Sequence, residues 1–440
     1  MRCLALAVGF GVAASAATNS PVTFHKDVAP ILQKRCQGCH RPGEIGPMSL
    51  LTYQEARPWA KSMREAVLTK KMPPWFADAA HGKFDNDRSL TGSEIETLAA
   101  WADGGAREGD AKHAPRPAPF AEGWSIGKPD LVLETPNEFN VPPSGTIDYQ
   151  FVVVPTGFTE DQWIEKLEVR PGARQVVHHV VVFAREPGSP WLRTVKPGVP
   201  LAAPNSRPKD PAADDGSGLF WGAPGVEIIC TYAPGAEPYL VKPGQGRLIK
   251  AGSDLVFQLH YTTSGTAAAD RSRIAMVFAK EPPKQRVKNM LVWNPKLRIP
   301  PGAANHRVDA RVTLQSPASV TSLFPHMHVR GRGFEYRAVY PDGRSEILLR
   351  VPKYDFNWQL TYFLAEPRLL PKGTRIECTA YYDNSPNNAF NPNPKDEVFW
   401  GDQTWDEMLA GFLDLAFDVS LDPNELIRGS QAPARTGGLD

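Results

Sequence analysis

The stretch QVVHHVVVFAREPG, residues 175–188, is a run of β-branched and aromatic residues stopped by Pro187 and Gly188. That is the composition of a buried strand, not of a helix. Similar runs recur outward from it: YQFVVVPTG at 149–157, SDLVFQLHYTTSG at 253–265, RVTLQS at 311–316 and RIECTAYYDN at 375–384. Turn chemistry separates them, as in Tyr340-Pro341-Asp342-Gly343 and Leu370-Pro371-Lys372-Gly373, where Pro presets one turn residue and Gly takes the conformation others avoid. No helical pattern intervenes often enough for a parallel α/β sheet, so antiparallel β-sandwiches are expected from about residue 130 to 421. That length suits two of them, 130–283 and 284–421, with the boundary in EPPKQRVKN, residues 281–289.

The part before these strands reads differently. VAPILQKRC, YQEARPWAKSMREAVLTK and TGSEIETLAAWADGG carry apolar residues at helical spacing between residues 21 and 107, and Thr91 and Gly104 suit the two ends of the last segment. Residues 108–129, including KHAPRPAPF, lack periodicity and read as a semi-rigid linker. Residues 422–440 read as a flexible tail. At the start, Arg2, the apolar run Cys3 to Val12 and Ala14-Ser15-Ala16 form a secretory signal over residues 1–16. A periplasmic or secreted protein is expected, with no membrane span, since no stretch approaches the ~20 apolar residues a spanning helix needs.

Lys plus Arg total 49 and Asp plus Glu 48, so no summed field attracts nucleic acid or an anionic membrane. Of five cysteines, Cys3 lies in the signal, and Cys230 and Cys378 are as consistent with two buried thiols as with a disulfide.

Cys36-Gln37-Gly38-Cys39-His40 has the spacing at which two thiols form thioethers to haem vinyl groups and the next residue gives an axial imidazole. One covalent haem c is expected. Met48, Met63 and Met72 compete for the sixth position; Met72 is favoured because Pro73-Pro74 would hold its loop extended, whereas Met63 lies in a helical stripe. The order of helix, haem motif, Met-Pro loop and final helix resembles class I cytochromes c across residues 21–107.

Ten histidines are present, and five outside the haem segment fall in three places: His178-His179, His260 and His326-Met327-His328. A strand period of two puts His326 and His328 on one face, able to share a metal, and Met327 on the other, towards a core. Two adjacent imidazoles inside VVHHVVVF are costly to bury unless both find partners, and His260 could complete a three-histidine site for copper or zinc. Neighbours on a regular strand face apart, so this requires a local bulge or twist.

As an ordered set, VVHH, QLHY, PHMH and TWDEM resemble the copper type II, ascorbate-dependent monooxygenases, the family of peptidylglycine and dopamine hydroxylating enzymes, over about residues 130–420. The resemblance implies two copper ions: one held by His178, His179 and His260 that passes electrons, and one held by His326, His328 and Met408 where O₂ reacts with a small organic substrate. It implies, overall, a multidomain chain in which an all-α cytochrome c domain precedes two antiparallel, jelly-roll-like β-sandwich copper domains. The haem would then take electrons from an external donor. The carboxylate clamp of the peptide-amidating members is replaced by Phe324, Ala410 and Phe412, and a cysteine by Leu409, which argues against peptide amidation. Two other readings remain open, a zinc hydrolase on the three-histidine site and a non-catalytic haem and copper carrier.

Overall fold

A computed structural model describes residues 21–120, 123–202 and 223–429; the expected signal over 1–16 lies outside them. The chain divides into two compact units. Of the described residues, the first takes 21–42, 46–73 and 90–118, and the second 43–45, 74–89, 119–120, 123–202 and 223–429.

In the first unit, helices Ala29–Arg35, Tyr53–Ala56, Ala60–Leu68 and Gly92–Asp103 surround Phe24, Val28, Leu32, Leu98 and Trp101. Thr52 and Thr91 begin two of them with capping boxes, each accepting from the amide of a Glu three residues on, Glu55 and Glu94, which returns the bond. The Trp101 indole, 1% exposed, donates to the Arg107 carbonyl at 2.9 Å.

The expected all-α cytochrome c domain over 21–107 is not present as such. Strands dominate the described residues, the four α-helices are 7, 4, 9 and 12 residues long, and residues 74–89 belong to the strand-rich unit. In that unit the Asp85 amide donates to the Phe363 carbonyl at 2.9 Å, and Asn86 donates to Thr361 at 2.7 Å while accepting from the Phe363 amide at 3.1 Å. The reason is burial. Trp75 and Phe84 need more apolar surface than a few short helices offer, and they pack edge-on against Tyr362 with centroids 4.9 and 5.5 Å away.

The strand-rich unit also departs from two separate sandwiches. A nine-stranded sheet runs from Leu131–Glu134 through Arg273–Phe278, Gln162–Arg170, Gln245–Ile249, Gln285–Trp293, Ala410–Asp418 and Ala318–His326 to Tyr362–Leu370, with a further strand, Tyr239–Leu240, paired to Gln162–Arg170. It crosses the expected boundary without a break, because Gln245–Ile249 and Gln285–Trp293 pair in parallel, Gln285 opposite Gln245. The polar composition of 281–289 reads as a linker, yet those polar groups are used inside the sheet: the Gln245 side chain donates to that of Gln285 at 3.0 Å.

A five-stranded sheet is ordered Leu201–Ala202, Gln150–Pro155, Asp254–Tyr261, Val177–Arg185, Val226–Tyr232, and apart from its exposed edge strand Leu201–Ala202 it is buried on both faces. Phe151, Val153, Val181, Phe183 and Val256 join one apolar cluster, which includes Leu323, Met327 and Met408, while Val152, Val154, Val180, Val182 and Phe257 join another. Two-sided burial explains why its strands read as continuous apolar runs instead of alternating. A second five-stranded sheet comprises Ser345–Val351, Gly331–Val339, Arg375–Tyr382, His306–Leu314 and Ile427–Arg428.

Arg247, 1% exposed, pins the long sheet together: it donates to Glu227, to the Tyr239 hydroxyl at 2.8 Å and to Asp414 at 2.9 Å. Asn289 and Ser322 complete Asp414 at 3.0 and 2.7 Å. Arg247→Ala would leave buried Asp414 without its cation and Glu227 with only Arg286, 3.9 Å away, and an expected loss of ~3–5 kcal/mol should appear in denaturant unfolding. A loss below ~1 kcal/mol would contradict this account of the network.

Cys36, Cys39, Cys230 and Cys378 form no disulfide. Among the described residues, no helix is long and apolar enough to cross a membrane.

Candidate metal centre

His178 and His179 lie on strand Val177–Arg185 and His260 on the adjacent strand Asp254–Tyr261. Here the register slips: His260 pairs with His179, but Tyr261 pairs with Val177, leaving His178 as an extra residue. This is the bulge that two neighbouring imidazoles need to turn to one side. The Nδ1 atoms of His178 and His179 are 3.2 Å apart, those of His260 and His179 3.4 Å, and one ligand atom from each residue lies within 4.8 Å of the others. Nitrogens bound at ~2.0–2.1 Å around one ion at tetrahedral angles would be separated by about 3.3–3.4 Å, which the His178–His179 and His179–His260 pairs match. Tyr149 packs edge-on against His179 and His260, with centroids 5.5 and 4.5 Å away.

The second set comes from the long sheet. Strand Ala318–His326 pairs with Ala410–Asp418 so that His326 faces Ala410. Just beyond those strand ends, the backbone N–H groups of His328 and Met408 donate to one Glu407 oxygen, at 2.9 and 3.2 Å. His326, His328 and Met408 are 8%, 1% and 1% exposed and line a narrow cavity of about 20 Å³ that His179 also lines. The His326 Nδ1–H donates to Gln359 Oε1 at 2.7 Å, and the His328 Nδ1–H to the Asp406 carbonyl at 3.2 Å. Both rings are thereby fixed as tautomers whose Nε2 carries the lone pair, the state a metal requires. Met327 is fully buried in the core. The Phe356 ring touches both sets, 5.4 Å from His178 and 6.2 Å from His328.

Burial keeps these histidines neutral. It lowers His260, beside His178, to about 3 and His326 to about 4, and with neighbouring imidazoles it holds His179 and His328 well below the usual 6.5. Neutral imidazoles bind metal without first losing a proton. In the metal-free protein the unfolded chain takes up protons on His260 and His326 below pH 6.5 while the folded chain does not until about pH 3–4. The unfolded state therefore binds more protons in that window, and stability falls as pH falls, by up to ~1.4 kcal/mol per pH unit for each group. The melting temperature of metal-free protein should drop from pH 6.5 towards 4, and less steeply in His260→Gln; equal slopes would refute the assignment.

In the helical unit, Cys36 follows helix Ala29–Arg35, and burial, reinforced by Cys39, pushes its thiol up to about 12. The His40 Nδ1–H donates to the Met48 carbonyl at 3.3 Å, which leaves Nε2 for iron. Gly46 packs so closely that a Cβ there would lie 2.7 Å from His40 Nδ1. This ring orientation fits an axial ligand. Met48 and Met63 pack against the helical core, and Met72 is half-buried ahead of Pro73.

Glu407, Gln359, Tyr149 and Phe356 are parts of the site that sequence reading missed. Glu407 is fully buried, and burial raises its carboxyl to about 7. Its place beside Met408 is the single sequence signal for it; nothing in the spacing of the other three marks them.

No family model and no curated protein matches this chain. Among solved structures, infectious bursal disease virus, Gx strain, aligns at 10% identity over 70% of this chain and 77% of the other, with a TM-score of 0.20. The VP2 subviral particle of the same virus aligns at 8% identity over 70% and 77%, with a TM-score of 0.19. At such scores neither fold nor function carries over.

Proposed function

We propose that this chain is an exported copper-dependent monooxygenase that hydroxylates a C–H bond of a small apolar substrate, taking electrons through a haem c attached at Cys36 and Cys39. The observation that carries this reading is the convergence of three imidazole nitrogens at a strand bulge, next to a second donor set of His326, His328 and Met408 on the same cavity. The overall reaction would be R–H + O₂ + 2e⁻ + 2H⁺ → R–OH + H₂O. Two copper ions would supply the one-electron steps and O₂ reduction, and the haem iron a one-electron relay.

The chain's own residues do the rest. His178, His179 and His260 hold one ion with neutral nitrogen donors that serve both oxidation states, and the Met408 thioether favours the reduced state in the other set. Gln359 and the Asp406 carbonyl aim His326 and His328 at that ion. Phe324 and Phe412, stacked 5.7 Å apart, line the cavity beside His326. They present an apolar wall where the peptide-amidating enzymes place a carboxylate clamp, which favours an uncharged substrate and keeps water away. His40 would hold the haem iron, with Met72 the favoured sixth ligand.

Three imidazoles with an open position also suit zinc and hydrolysis. A second set containing a thioether, and a haem motif, have no part in that chemistry. The test is O₂ uptake by copper-loaded protein with ascorbate. Uptake should vanish when copper is chelated and should not return with zinc. Absent uptake would favour a carrier, and hydrolysis restored by zinc a hydrolase.

A further inference from the structure

We propose that Glu407 is a positioning residue whose carboxylate clasps the two chain segments that carry His328 and Met408. The proposal rests on the reading above that these residues hold a metal ion. Glu407 is 0% exposed. One of its oxygens, Oε2, accepts from the backbone N–H of His328 at 2.9 Å and from that of Met408 at 3.2 Å; the other accepts from the Arg330 N–H at 2.6 Å. A single buried carboxylate oxygen thus bonds the main chain of two proposed ligands that are 80 positions apart in sequence.

The clasp is itself anchored. The Glu407 N–H donates to the Phe399 carbonyl at 3.1 Å, and its carbonyl accepts from the Gly401 N–H at 3.2 Å. The Arg330 guanidinium is engaged with Asn384 at 3.0 Å, Asn391 at 2.9 Å and the Trp405 carbonyl at 2.8 Å, so its main-chain N–H is the part directed at Glu407. Just before it, the Asp406 carbonyl accepts from the His328 ring. Residues 406–408 therefore orient the imidazole, fix its backbone and deliver the thioether in succession. A buried polar group is costly without partners, so main-chain donors at both of its oxygens make this geometry stiff. Stiffness matters at a metal set because outer partners that hold ligands commonly account for ~10–100-fold in affinity.

The test uses full-length protein and copper(I), titrated against a competing chelator, with X-ray absorption to detect a sulfur donor. Glu407→Ala should retain the ion at His178, His179 and His260, weaken the second ion ~10–100-fold and lose its sulfur donor. Glu407→Gln, which keeps one accepting oxygen and turns an amide N–H₂ towards a main-chain donor, should weaken the second ion alone by a smaller factor, and it decides the matter if the alanine variant does not fold. Equal weakening of both ions, or of neither, overturns the clasp. A parent protein that binds only one copper overturns the reading of the site and the clasp with it, a different result from a two-ion parent with unaffected variants.

Discussion

His328→Ala is expected to remove one copper ion per chain and to cut O₂ uptake more than ~100-fold, since loss of an outer partner alone commonly costs ~10–100-fold. The imidazole is 1% exposed, its backbone is bonded to Glu407 and its ring to the Asp406 carbonyl. Removing it leaves His326 and Met408, too few donors for a closed set. The other ion should stay, because His178, His179 and His260 come from a different sheet. Metal analysis and an oxygen electrode suffice, and a variant that keeps two coppers or full uptake would contradict the assignment of the reacting site.

The second large effect concerns the haem and is all-or-none. Cys36→Ala with Cys39→Ala should abolish haem that stays with the chain after denaturation, since both thioether bonds need these thiols. His40→Ala should retain covalent haem but change its absorption spectrum, because only the axial bond is lost. A haem-staining band that survives in the double variant would remove haem c from the account. Potentiometry on Met72→Ala then asks which methionine is the sixth ligand: a lowered potential supports Met72, and an unchanged one points to Met48 or Met63.

The local chemistry was more legible than the architecture. Period-two spacing in PHMH put His326 and His328 on one face and Met327 in the core, and the bulge required by His178-His179 is present at Tyr261 opposite Val177. These are short-range consequences of strand geometry. The expected division into an all-α domain and two sandwiches failed on long-range pairing, which composition does not encode. The parallel pairing of Gln285 with Gln245 joins what a polar stretch appeared to separate, and Trp75 and Phe84 draw residues 74–89 to Tyr362. The roles of Glu407 and Gln359 were missed for a related reason. Each acts on a residue dozens of positions away, apart from the Met408 amide, and a buried acid or amide is recognisable only once its partners are in place.

The most direct test of the central claim is the metal content of the purified protein. Two copper and one iron per chain are expected, with the iron lost in the Cys36→Ala, Cys39→Ala double variant and one copper lost in His328→Ala. Zinc at one per chain with neither copper nor iron would contradict it.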